Sequence, residues 1–399
     1  MESRRLLEES AHYLMSTYNR FPIVLRKGRG MKVWSTDGRE YLDFVSGIAV
    51  NNLGHCHPKI VIAVQKQVQR LIHVSNLFHI EPQIRLAKIL VEHSFADKVF
   101  FCNSGTEANE AAIKLSRRYF REVAGRNKFE VVTALNSFHG RTFGSLSATG
   151  QEKFKKGFDP LVPGFRHVEY NNIDALRAAV TPETCAILLE PVQGEGGVRV
   201  PDPDYLKKVR ELCDREDILL VFDEVQTGIG RTGRLFAYEH FGIAPDIMTL
   251  AKGLGSGVPV GAMLATDKVA AAFPPGSHAA TFGGNPLVCA AAIATLDLVL
   301  EDGFMLDQCR RMGKYFLKRL SDLQKEFPSL ITDVRGLGLL IGMELTRDCP
   351  PIVQACIERG VLINCTAGNV LRFIPPLIVT EKEIDHLADV LEQVFDSLS

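Results

Sequence analysis

The chain has 399 residues, a length that fits two or three domains. Hydrophobic residues make up 46 % and charged residues 23 %, the balance of a soluble globular enzyme. The formal net charge of −1 offers no general field to nucleic acid or an anionic membrane, and no apolar run reaches the length of a membrane span.

The N-terminal stretch MESRRLLEESAHYLMSTYNRF is charged and helix-like, without the apolar core of a secretory signal. Its first ten residues carry three acids, which argues against a transit peptide. Residues 22–45, with the turn signal TDGRE, are expected to pack against a second domain. Residues 57–73 and 83–95 carry apolar residues at helical spacing. VFFCNSGTEANEAAIKLSRRYF then reads as strand, turn and helix. FEVVTAL (129–135), CAILLEPV (185–192), ILLVFDEV (218–225) and DIMTLA (246–251) are short, nearly continuous apolar runs, and helical stretches such as 203–215 alternate with them. That alternation predicts an α/β fold, a mostly parallel sheet covered by helices. After residue 286 the texture changes. Helices over 286–301 and 304–326 precede short strands near 332–345 and 361–374, and a last helix spans 380–396. The predicted organisation is an N-terminal segment (1–50) packing with the small domain, a large domain (51–285) and a small α+β domain (286–399).

Nine cysteines occur, an odd number with no C-x-x-C pair, so reduced thiols and a cytoplasmic location are expected. His55-Cys56-His57 looks like a metal cluster, but adjacent residues rarely ligate one ion together, and no metal is expected.

Ligands of open parallel sheets bind at the carboxyl ends of the strands. Polar residues collect there: Asn103 to Thr106 after one strand, Glu190 after another, Asp223 and Glu224 after a third, and Lys252 after a fourth. Ser104-Gly105-Thr106-Glu107 fits a capping box opening a helix, and its free N–H groups suit a phosphate; a plain helix cap reads equally well. Asp223 ends an apolar strand and needs a partner, either a cationic ring nitrogen or a structural one. Lys252 sits where the Ile247–Ala251 run meets a glycine-rich turn, and a solvated lysine at a strand end is the plainer reading of it alone. Burial there lowers a lysine pKa, and the neutral amine is the nucleophile that Schiff-base chemistry needs. Arg141 and Arg372 present the rigid fork that binds carboxylates, unless each is absorbed in an internal ion pair. Gly336-Leu337-Gly338 with Gly342 has the wrong spacing for a dinucleotide fingerprint.

Asp223 and Lys252 lie 29 positions apart. With NSGTEANEAAIKLSRR, SFHGRT, LEPVQGEGGV, FDEVQTGIGRTG, AKGLGSGVPVGA, TFGGNP and LRFIPPL, they resemble class III (ω-type) pyridoxal-phosphate aminotransferases of fold type I, from about residue 15 to 395. TYNRFPIVLRKGRG, YLDFVSGIAVNNLGHCHP and SNLFHIEPQIRLAKIL look most like the acetylornithine branch. The resemblance implies pyridoxal 5′-phosphate as cofactor. It implies that Lys252 forms the Schiff base and shuttles a proton, that Asp223 holds the ring N–H, and that Gln226 bonds the ring 3-oxygen. Phe138 and Val225 would flank the ring, and Gly105 and Thr106 would hold the phosphate. Thr281 would reach the phosphate bound by a second subunit, which implies a homodimer with composite sites. Arg141 would bind the α-carboxylate of N-acetylornithine or the distal carboxylate of glutamate. Arg372 would bind the α-carboxylate of glutamate and 2-oxoglutarate, with Glu195 masking it between uses. Within the same fold, ornithine δ-aminotransferase, with Tyr18 near its substrate, and succinylornithine, succinyl-diaminopimelate and 4-aminobutyrate aminotransferases stay open.

Overall fold

The computed structural model describes residues 2–397; Met1, Leu398 and Ser399, which the predicted domain ranges include, lie outside the described residues. Seven strands form the central sheet: β1 (Lys98–Cys102), β2 (Glu130–Ala134), β3 (Phe165–Val168), β4 (Thr184–Leu189), β5 (Leu219–Asp223), β6 (Ile247–Leu250) and β7 (Gly261–Ala265). Their spatial order is β1-β7-β6-β5-β4-β2-β3. All neighbours are parallel except β7, which runs antiparallel to both β1 and β6. The four apolar runs of the sequence are β2, β4, β5 and β6. Every residue of β4, β5, β6 and β7 is buried, the signature of a sheet covered on both faces.

The helices show why they form where they do. Gly105–Arg118 starts at Ser104, whose hydroxyl accepts from the Glu107 N–H at 3.3 Å. The reciprocal half of the box is shifted by one residue, because Glu107 accepts from Asn103 N instead of Ser104 N. Pro58–Val68, Glu81–Glu92 and Pro286–Leu300 each carry proline in the first turn, where its missing N–H has no helical partner to lose. Pro286–Leu300 lies against the Pro58–Val68 and Glu81–Glu92 helices and shares their core with β4, β5 and β6.

The second layer has its own core. Ile331–Leu337, Leu340–Leu345, Val370–Phe373 and Asn364–Thr366 form an antiparallel sheet in that order. Phe304–Glu326 and Glu381–Asp396 bury their apolar stripes against it. Leu25–Arg29, Lys32–Ser35 and Glu40–Asp43 form a separate sheet that Val361–Leu362 completes in parallel, so the N-terminal segment joins the C-terminal region. The expectation of nine reduced thiols is corrected at one pair. Cys349 and Cys365 are joined by a disulfide, because the fold brings the residue before the Pro350–Glu358 helix against a strand 16 positions later.

Candidate active site

A cavity of about 450 Å³ opens at the carboxyl ends of the strands. Four strand ends line it: Asn103–Thr106 after β1, Glu190 after β4, Asp223 closing β5, and Lys252 after β6. Gly105, Phe138, Arg141, Glu195, Val225 and Gln226 line it as well. Arg372 reaches the same place through its partners, whereas Thr281 is exposed and lies outside this cavity. Tyr18 is 73 % exposed, stacks with Arg20 at 5.1 Å and does not line the cavity.

Asp223 is buried in the cavity wall. Its Oδ2 accepts from Asn109 Nδ2 at 2.7 Å and lies 2.8 Å from His139 Nδ1; its Oδ1 accepts from Val225 N at 3.0 Å. Asn109 is fully used. Its second N–H donates to the His139 carbonyl at 2.7 Å, and its Oδ1 accepts from Thr249 at 2.8 Å. Sequence reasoning passed over Asn109, His139 and Thr249. The available signal was an asparagine among Ala108, Ala111 and Ala112 on the buried side of an amphipathic helix. Glu190 is buried in the same cavity wall and accepts from Phe138 N and Gly194 N, both at 3.2 Å. Burial pushes its carboxyl up to about 7 against the lowering pull of His139, and Asp223 adds to the rise.

Lys252 holds a left-handed backbone, φ +42°, which a side-chain-bearing residue adopts only under constraint. Burial brings its pKa below the ordinary lysine range, and Arg372 adds to the fall; Glu195, Asp223 and Glu190 oppose it. Arg372 is 1 % exposed. Its Nη1 donates to Glu195 Oε1 at 2.6 Å and to Gln226 Oε1 at 3.2 Å. Burial alone would raise the Glu195 carboxyl, but Arg372 and Lys252 outweigh it and hold the group below its usual range. Arg141 is exposed, with its guanidinium 4.1 Å from the Phe154 ring centroid and 5.6 Å from that of Phe138.

These residues fit pyridoxal 5′-phosphate. The N-terminus of the Gly105–Arg118 helix offers N–H groups and the Thr106 hydroxyl to a phosphate. The backbone there is closely cradled: a Cβ on Gly105 would sit 2.7 Å from Val225 Cγ1, and one on Gly140 would sit 2.2 Å from Thr106 Oγ1. Asp223, gripped from behind by three groups, faces the same space as Lys252.

A family model described as aminotransferase class-III matches residues 13–395. The chain belongs to the class-III aminotransferases. Among similar aminotransferases, the acetylornithine aminotransferase of Caldanaerobacter subterraneus is 56 % identical over 387 residues, 97 % of this chain and 98 % of that one. That of Methanocaldococcus jannaschii is 51 % identical over 398 residues, covering 100 % of both chains. Of the solved structures, the ornithine aminotransferase of Toxoplasma gondii superposes with a TM-score of 0.95 at 35 % identity, over 99 % of this chain and 95 % of that one. A second structure of that enzyme holds pyridoxal phosphate at partial occupancy in its active site. The acetylornithine aminotransferase of Elizabethkingia anophelis superposes with a TM-score of 0.88 at 34 % identity, over 99 % of each chain.

Proposed function

We propose that this class-III aminotransferase moves the δ-amino group of N2-acetylornithine to 2-oxoglutarate, giving N-acetylglutamate 5-semialdehyde and glutamate. The observation that carries this reading is the ion pair of half-buried Glu195 with buried Arg372 beside Lys252. One carboxylate-binding arginine is covered while a second, Arg141, stands open. A donor whose reacting amine has no carboxylate beside it needs that cover. An acceptor that carries an α-carboxylate needs it removed. Relatives named acetylornithine aminotransferase at half identity over the full chain support the same donor.

Pyridoxal phosphate, when bound, supplies an electrophilic aldehyde and a ring that accepts negative charge from the reacting carbon. The chain does the rest. Gly105 and Thr106 hold the phosphate, Phe138 and Val225 flank the ring, and Gln226 donates to the ring 3-oxygen. The Asp223 carboxyl, oriented by Asn109, His139 and Val225, holds a proton at the ring nitrogen. Arg141 receives the α-carboxylate of N-acetylornithine. Lys252 Nζ, biased toward its neutral form by burial, takes the proton from the substrate δ-carbon and later returns one to the acceptor. Glu195 swings off Arg372 when 2-oxoglutarate or glutamate brings its own α-carboxylate.

A cytoplasmic homodimer completes the proposal. The family resemblance assigns Thr281 to the phosphate bound by a neighbouring protomer, and its position outside the cavity of its own protomer leaves it free for that role. Leu77, Phe78 and Phe282 are 86 %, 63 % and 59 % exposed nearby, where Asn76 donates to Ala280 and Gly283 carbonyls, and they offer an apolar surface to a second copy.

The test uses the purified holoenzyme, whose bound cofactor absorbs visible light. N-acetylornithine without 2-oxoglutarate should bleach it, and double-reciprocal plots should be parallel. Bleaching by ornithine and not by N-acetylornithine would overturn the donor assignment.

A further inference from the structure

The strand Asn364–Thr366 is three residues long, and each residue fastens a different part of the molecule. Asn364 Oδ1 accepts from Arg372 Nε at 3.3 Å. The Thr366 hydroxyl donates to the carbonyl oxygen of Glu195. Side chains two apart leave a strand by the same face, so both halves of the Glu195–Arg372 pair are held from one side of this strand. Cys365, between them, leaves by the other face and is bonded to Cys349. Cys349 is fully buried in the second core, at the start of the Pro350–Glu358 helix. The strand itself is an edge strand with one neighbour, Val370–Phe373. The disulfide is therefore its covalent anchor on the face opposite Asn364 and Thr366.

We propose that Asn364 and Thr366 are positioning residues for substrate selection, and that the Cys349–Cys365 disulfide sets how tightly they hold Glu195 over Arg372. The inference rests on the masking role given to Glu195 above. With the disulfide closed, Glu195 is fixed by its backbone and resists displacement. With it open, the edge strand yields, and carboxylate substrates displace Glu195 more easily. The opening reaction is thiol–disulfide exchange with a dithiol reductant. One dithiol sulfur attacks Cys365, which is half-buried beside the exposed Ala367–Gly368 turn, and the Cys349–Cys365 bond breaks. The second dithiol sulfur then closes the reagent into its own disulfide. Two electrons and two protons end on the cysteines, leaving two thiols. Both sulfurs lie 3.4 Å from the Gly368 carbonyl oxygen, which accepts a thiol proton from either.

The experiment compares air-oxidised holoenzyme with holoenzyme treated with dithiothreitol and freed of it. Thiol titration in denaturant should count the seven free cysteines before treatment and all nine after it. The glutamate concentration that half-bleaches the bound cofactor should fall about fivefold on reduction, the weight of roughly one hydrogen bond. The value for N-acetylornithine should move less than twofold, since that donor leaves Arg372 covered. Thr366→Val should give the reduced behaviour in the oxidised protein, and reduction should add nothing further. Cys365→Ser should behave as permanently reduced. The inference is overturned by nine thiols in air-oxidised protein, by equal glutamate values in the two states, or by a glutamate shift that persists in Glu195→Ala. A protein that bleaches with glutamate in this redox-dependent way, yet never with N-acetylornithine, supports the anchoring and refutes the proposed donor.

Discussion

Replacing Asn109 with leucine isolates the support behind Asp223. The side chains are of similar size, and Asn109 is 1 % exposed, so the change is one of hydrogen bonding. Three groups lose a partner: Asp223 Oδ2, the His139 carbonyl and the Thr249 hydroxyl. A buried polar group left unpaired costs about 1–3 kcal/mol. Members of one network do not add, and Asp223 Oδ2 keeps His139. We therefore expect the apoprotein to lose about 3–5 kcal/mol. Asp223 also loses one charge-assisted bond, about 1.5–3 kcal/mol, which bounds the fall in kcat at roughly 10- to 150-fold. Urea unfolding of the apoprotein gives the first quantity. Turnover at saturating N-acetylornithine and 2-oxoglutarate gives the second. Thr249→Val removes only the outer bond and should cost about 1 kcal/mol and less than about threefold in kcat. A folded Asn109→Leu enzyme with kcat within threefold of the parent would refute the view that Asn109 orients Asp223. So would a stability change below about 1 kcal/mol.

Three further outcomes follow from named contacts. Glu195→Ala uncovers Arg372, which keeps Asn364 and Gln226, so kcat/KM for glutamate relative to N-acetylornithine should rise about tenfold or more, and an unchanged ratio would remove Glu195 from selection. Glu190 stands at about 7 when folded against 4.5 as an isolated side chain, so the folded protein holds the extra proton between those values. Its contribution is complete below pH 4.5 and is lost as pH rises through about 7, a fall of about 3 kcal/mol by urea unfolding of the apoprotein. Glu224, also raised to about 7 by burial, contributes with the same sign, so Glu190→Gln should flatten only part of the slope between pH 5 and 8. Gly105→Ala brings a Cβ to 2.7 Å from Val225 Cγ1, and spectral titration of the apoprotein should show cofactor affinity down about tenfold with little change in stability. Unaltered affinity would mean that the helix entry tolerates the shift.

Much of this was readable because the large layer obeys a simple rule. Runs buried on both faces become parallel strands, and the polar residue that ends each run faces the ligand side. Asp223, Lys252, Glu190 and the Asn103–Thr106 turn meet at one cavity for that reason. What stayed hidden lacks such a rule. β7 follows a glycine-rich stretch that reads as turn, and only tertiary pairing with β1 and β6 makes it a strand. Phe165–Val168 sits at the sheet edge with a half-exposed pattern, too short and mixed to announce itself. Pro286–Leu300 is apolar nearly all round, so its sequence cannot say which core takes it. The Cys349–Cys365 pairing depends on a strand and a helix start meeting across a turn, which spacing alone does not encode.

Arg231 carries the same point furthest. Its sequence context, GIGRTG, is glycine-rich, and its side chain is fully buried. Burial lowers its pKa to about 10, which still leaves it charged at neutral pH. No carboxylate meets it among its hydrogen-bond partners in the described residues. It donates instead to the carbonyls of Leu339 and Pro375 and, at 2.7 Å, to Asn52 Oδ1. A guanidinium suits this task because its fork reaches several acceptors at once. Asn52 in turn donates to Ile229 O at 2.8 Å and packs against Gly253, where a Cβ would sit 2.4 Å from its Nδ2. Gly253 directly follows Lys252, and Pro375 lies three residues after Arg372. The spacing between Lys252 and Arg372 is thus fixed through a buried cation that touches neither. Residues of that kind set the geometry of the site, and no motif in the sequence marks them.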